Sequence, residues 1–166
     1  KTSLFSMGVD VADINRDGLD DLFVVDMLSR DHQRRMNFTP DRRAPIPPIG
    51  AWPDRLQYPK NTLFLNRGDG TYSEIGSAAL VEASEWSWCP VFLDVDLDGW
   101  EDILITNGHE RDARNMDVAD QLKAMRAGRT VSNEEILAAR KLFPRLATPN
   151  IAFRNNRDLT FQEMGH

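Results

Sequence analysis

Two nine-residue stretches concentrate the side chains best able to do chemistry. Residues 13–21 read D-I-N-R-D-G-L-D-D and residues 94–102 read D-V-D-L-D-G-W-E-D. Both fit D-x-[DN]-x-D-G-x-x-D. Oxygen-bearing side chains recur at alternate places: Asp13, Asn15, Asp17 and Asp21 in the first, and Asp94, Asp96, Asp98 and Asp102 in the second. Gly18 and Gly99 stand sixth, where the chain must turn sharply, and Leu19 and Trp100 stand seventh, where only a backbone carbonyl is on offer. Clustered carboxylates repel one another unless a cation sits among them. Hard oxygen donors without His or Cys select Ca²⁺ over zinc or copper. The expectation is two Ca²⁺ sites.

An EF-hand begins in a similar way but needs Glu at its twelfth place and helices on both sides. Here the twelfth places are Val24 and Ile105, and the flanks are rich in β-formers. A polar Asp-Gly turn is the plainer alternative for one such match. Two complete matches at equivalent places favour the ion.

The loops belong to a larger duplication, and repeats decide fold. N-T-L-F-L-N-R-G-D-G-T-Y-S-E starts at Asn61 and N-I-A-F-R-N-N-R-D-L-T-F-Q-E at Asn150, with Asn, Phe, Asn, Thr, an aromatic and Glu at matching offsets. Each unit reads as four short strands. In the first they are Leu4 to Val11, Leu22 to Met27, Thr62 to Leu65 and Thr71 to Ile75, the last two joined by a turn that ends Asp69-Gly70. Such a turn wants positive φ, which Gly supplies. The second unit gives Trp88 to Leu93, Ile103 to Thr106, Ile151 to Arg154 and Thr160 to Glu163. Four antiparallel strands per repeat is the plan of a β-propeller blade. The expected fold is all-β: two blades of a partial propeller, residues 1–81 and 82–166.

Each unit carries an insertion between its second and third strands. Residues 28–60 hold six of the nine prolines and should be irregular. Residues 107–149 predict a helical hairpin. Val118, Leu122 and Met125 share one helical face, and Gly128 is placed to end it. Ser132 and Glu135 form a capping box, and Ile136, Ala139 and Phe143 line a second face up to Pro144.

Composition narrows the function. Apolar residues make up 41% of the 166 residues, enough for a core. No apolar run is long enough to span a membrane. A formal charge of -6 argues against nucleic acid, which needs a basic footprint. Lys1 opens the sequence without a basic-then-apolar leader, so a signal peptide is expected to be absent or removed. The lone Cys89 makes no intrachain disulfide and reads as a small buried side chain in a strand.

Other patterns have modest readings. His109, Glu110 and Asp112 suggest an acid–base trio, but a solvated turn leading into the helical insertion explains them better. Arg67-Gly68-Asp69 spells an adhesion tripeptide where the hairpin already needs Asp-Gly. Trp86 and Trp88 alternate at a strand start, suiting one to the core and one to the surface. Arg30, Arg34, Arg35, Arg42 and Arg43 are interspersed with Asp31 and Asp41 and read as a solvated, locally paired loop.

The acidic loops resemble those of the FG-GAP or VCBS repeat family, best known from the propeller of integrin α-chains. D-L-F-V-V-D-M at Asp21, N-T-L-F-L-N-R-G-D-G-T-Y at Asn61 and W-S-W-C-P-V-F-L-D-V-D-L-D-G-W at Trp86 are similar to bacterial surface or secreted members related to cartilage acidic protein. The resemblance implies one Ca²⁺ per loop between the first two strands of a blade. It also implies closure with further blades, about seven in the family, or cover of the open edges by partner subunits. It carries over calcium ligands and no catalytic residue. The function implied is a non-enzymatic, extracellular or cell-surface module binding protein or glycan. The alternative is part of a calcium-dependent polysaccharide-processing enzyme such as a glycan lyase.

Overall fold

A computed structural model describes residues 2–38, 57–128 and 130–165. Its strands are β1 (Thr2–Ser3), β2 (Gly8–Ala12), β3 (Asp21–Val25), β4 (Gln57–Tyr58), β5 (Thr62–Asn66), β6 (Tyr72–Glu74), β7 (Ser87–Leu93), β8 (Asp102–Asn107), β9 (Ile151–Asn155) and β10 (Phe161–Met164). Helices α1 (His32–Met36), α2 (Met116–Arg126) and α3 (Asn133–Arg140) complete the described elements. The chain divides into two compact units. One holds residues 1–30, 47–108 and 148–166, and the other 31–46 and 109–147.

The first unit holds all ten described strands. Two four-stranded antiparallel sheets run in the orders β2-β3-β5-β6 and β7-β8-β9-β10. The eight predicted strands are therefore present, with ends moved by a few residues. Alternation does the sorting: Phe23 and Val25 of β3 point inward, as do Ile151 and Phe153 of β9. With Ile14, Leu63, Ala79, Val81, Ile103, Ile105 and Phe161 they form one buried cluster fed by both sheets. Phe23 meets Phe92 of β7 in a tilted ring contact, 6.1 Å between centroids.

The two sheets approach where β2 meets β7. The Phe92 N–H donates to Asp10 Oδ2 at 2.7 Å. A Cβ built on Gly8 would stand 2.5 Å from the Trp88 carbonyl oxygen, so only glycine fits there.

The first predicted strand, Leu4 to Val11, forms only over its second half, as β2. Asp26 Oδ2 accepts from the Leu4 and Phe5 N–H groups and from the Ser3 hydroxyl, which curls the chain, and Ser6 turns it at φ 47°. β1 instead pairs in parallel with β4, which comes from the stretch expected to be irregular. That stretch also supplies α1, capped by the Asp31 side chain. Its prolines from Pro40 to Pro53 lie outside the described residues.

The other unit contains the helical hairpin. Val118 and Leu122 are buried along α2 whereas Met125 is exposed, and Gly128 follows the helix at φ 78°. The Ser132–Glu135 capping box forms in full. α3 ends at Arg140 rather than running to Pro144, because the Leu142 and Phe143 N–H groups close i−3 turns that leave the α-ladder.

Candidate metal centre

Both acidic loops connect the first and second strands of a four-stranded sheet, β2 to β3 and β7 to β8. The same four backbone N–H to side-chain bonds form in each. In the first, Asp13 accepts from the Asp17 and Gly18 N–H groups at 3.0 and 2.8 Å, Asn15 Oδ1 from Asp17 at 3.2 Å and Asp17 Oδ1 from Leu19 at 2.9 Å. In the second, Asp94 accepts from Asp98 and Gly99 at 3.0 and 2.8 Å, Asp96 Oδ1 from Asp98 at 3.2 Å and Asp98 Oδ1 from Trp100 at 3.0 Å. The left-handed turns coincide too, at Arg16 and Gly18 (φ 61° and 85°) and at Leu97 and Gly99 (φ 58° and 89°). Sixth-place glycine is the residue this backbone calls for.

The side chains of the first, third and fifth places thus fold back on the backbone of their own loop in both copies. In the second loop Asp94, Asp96 and Asp98 each bring a carboxylate oxygen to within 4.8 Å of the others. That triad is close enough to hold a metal ion. The donors are carboxylate oxygens, with an amide oxygen from Asn15 in the first loop, and this set fits a hard cation. With Asn15 in the third place, the first loop offers one carboxylate fewer.

The ninth-place aspartates lie deeper, each accepting two backbone N–H groups. Asp21 is fully buried, its Oδ2 accepting from Ile14 N–H at 3.1 Å and its Oδ1 from Asn66 N–H at 2.8 Å. Asp102 does the same with Val95 at 3.2 Å and Asn155 at 2.9 Å. Each ties its loop to the third strand of its sheet. Burial pushes the Asp21 carboxyl above its ordinary pKa, against the pull of its two backbone N–H partners, while Asp17 and Asp13 add repulsion.

The loops differ in their surroundings. Arg154 reaches Asp96 at 2.8 Å and Asp98 at 3.4 Å, and Arg157 reaches Asp98 at 2.7 Å. The Arg157 hydrogen bond holds the Asp98 carboxyl below the ordinary range. These arginines were not among the candidate residues, although the aligned hairpins place Leu65 and Gly68 opposite them. That mismatch was the available signal. The motif's shared residues do find a purpose. Asn66 and Asn155 each donate through Nδ2 to the eighth-place carbonyl of their own loop, Asp20 or Glu101, at 3.1 and 3.2 Å.

The remaining candidates are built into turns and strands. His109 Nδ1 lies 2.5 Å from the Arg111 carbonyl oxygen and Glu110 pairs with Arg111 at 3.5 Å, so two of the trio turn to Arg111 rather than to each other. Asp69 of Arg67-Gly68-Asp69 accepts from both the hydroxyl and the N–H of Thr71, and Asp158 repeats this with Thr160. Trp88 is exposed, its indole donating to the Gly108 carbonyl at 2.6 Å, and Trp86 is half-buried. Arg34 pairs with Asp31 and Arg30 with Glu163. Arg42 and Arg43 lie outside the described residues. Cys89 is exposed, not buried, because the register shift between Ser87 and Cys89 turns it outward beside Trp88.

No described helix is long and apolar enough to cross a membrane. No curated protein and no solved structure matches the chain. Residues 52–105 match the FG-GAP-like repeat, a span reaching from before β4 through β5, β6 and β7 to the second acidic loop and into β8. The chain therefore carries an FG-GAP-like repeat, with the acidic triad inside it.

Proposed function

We propose that this chain is a calcium-stabilised, non-enzymatic interaction module that works at the cell surface or outside the cell, its two four-stranded sheets being neighbouring propeller blades over residues 1–81 and 82–166. The gathered carboxylates of Asp94, Asp96 and Asp98 are the observation that carries the reading. The first ion would be held by Asp13, Asn15, Asp17, the Leu19 carbonyl and Asp21, and the second by Asp94, Asp96, Asp98, the Trp100 carbonyl and Asp102. The ion supplies positive charge that cancels carboxylate repulsion, so binding it adds to folding stability. The protein's own part is to hold the loops in the turns described above and anchor them through Asp21 and Asp102.

Exposed apolar side chains support further blades or partner subunits against these sheets. Val9 and Val11 on β2 and Val91 and Leu93 on β7 all face outward. The excursions at 28–60 and 107–149 are the variable parts through which a protein or glycan partner would be met.

The test is calorimetry with Ca²⁺ together with thermal melts in EDTA. Two binding events are expected, and Ca²⁺ at 100-fold its Kd should add about 2.7 kcal/mol per site. A melt indifferent to both EDTA and Ca²⁺ would remove the calcium reading.

A further inference from the structure

The two loops share a backbone but not a charge environment. By carboxylate count the second should bind a cation more tightly, since Asp96 replaces Asn15. Its hairpin reverses that advantage. Arg154 touches the carboxylates of the third and fifth places, and Arg157 touches the fifth. At the corresponding places the first unit has an aliphatic chain, Leu65, and no side chain, Gly68.

We propose that Arg154 and Arg157 are built-in counter-ions of the second loop, neutralising Asp96 and Asp98 until a divalent ion takes their charge, and so set its calcium affinity below that of the first loop. The inference rests on the calcium reading and adds an order of filling to it. An ion coordinated by Asp98 Oδ2 must displace or share that oxygen with two guanidinium groups that also repel it across a few ångströms. Neither arginine is buried, their side chains being 45% and 49% exposed, so both can swing into solvent. Arg157 has a place to stay: its guanidinium lies 5.9 Å from the Trp100 ring centroid. The same indole makes the exchange visible. Trp100 belongs to the second loop, whereas the first has Leu19 in that position.

The experiment uses the full chain and grafts the first unit's residues onto the second, as Arg154→Leu and Arg157→Gly. Glycine suits the backbone there, since Arg157 sits at φ 67°. An Asp13→Asn background isolates the second loop for calorimetry with Ca²⁺. Tb³⁺ emission sensitised by Trp100, with Trp100→Phe as control, supplies a spectroscopic signature of the same loop. The double graft should lower the second loop's Kd for Ca²⁺ about tenfold, and Arg154→Leu alone should lower it by a smaller factor. An Asp94→Asn background should report a first-loop affinity untouched by the graft. Circular dichroism verifies folding, and the single variant keeps the comparison open if the double graft fails to fold. An unchanged or raised Kd overturns the counter-ion role while leaving the calcium sites standing. Absence of Ca²⁺ binding in every variant removes the calcium reading and this inference together.

Discussion

Arg16, fourth in the first acidic loop, lies over the indole of Trp100, seventh in the second, with its guanidinium carbon 5.3 Å from the ring centroid. Arg157 approaches the same ring at 5.9 Å. The two loops are thus in direct physical contact through one aromatic side chain.

Arg16→Ala should remove the cation–π contact and cost about 0.5–1 kcal/mol. Urea unfolding followed by tryptophan fluorescence measures both the loss and the change around the indole. A variant with the same midpoint and the same emission maximum would show that the stack contributes nothing.

The sixth-place glycines should respond to alanine with similar losses of stability. Gly18 has open space around a notional Cβ, so Gly18→Ala costs only the left-handed backbone, about 1–2 kcal/mol. At Gly99 the added carbon would stand 3.0 Å from an Arg16 nitrogen, the end of a flexible side chain that can step aside, so Gly99→Ala should cost a similar amount yet shift the tryptophan emission by moving Arg16 on Trp100. An emission maximum unchanged in Gly99→Ala would contradict the loop contact.

Gly8→Ala tests the approach of β2 to β7. The new methyl would overlap the Trp88 carbonyl at 2.5 Å, a backbone atom that cannot step aside alone. Overpacking of this sort costs about 1–3 kcal/mol. Hydrogen exchange should show faster opening along β2 and β7, and protection equal to that of the parent chain would rule out the close contact.

Two aspartates should titrate on opposite sides of the ordinary value in the protein held in EDTA. Asp21, pushed up by burial, favours its protonated form in the fold. Its contribution to stability is full below the unfolded pKa of about 3.9 and is lost as pH rises through the higher folded value. Asp98, pulled down by its hydrogen bond to Arg157, contributes above about 3.9 and loses that contribution as pH falls through the lower folded value. Carboxyl carbon NMR reads both midpoints, and the opposite order would refute the assigned causes.

Much of this was legible in the sequence because the duplicated residues perform duplicated bonds. Asn61 and Asn150 recur because each side-chain oxygen accepts a backbone N–H at the end of the second strand, from Asp26 at 2.8 Å and Asn107 at 2.9 Å. Thr71 and Thr160 recur because each bonds the turn aspartate two places earlier. What stayed hidden depends on partners distant along the chain. Asp26 capturing the N-terminal N–H groups, the outward turn of Cys89 and the arginines over Asp96 and Asp98 follow from tertiary placement that no local period encodes.

The long excursion of the second unit departs and returns at a clasp. Ile105 pairs with Ile151, and Asn107 donates its N–H to Asn150 Oδ1 and its side-chain amide to the Pro149 carbonyl, both at 2.9 Å. The sheet therefore closes its own register before the intervening chain has any say. Doubling the length of a flexible connection between fixed ends costs only about 0.6 kcal/mol. The clasp keeps β8 and β9 aligned whatever the length of chain between them, while that chain finds its own partner in the earlier excursion, Met116 N–H donating to the Asn37 carbonyl at 2.9 Å.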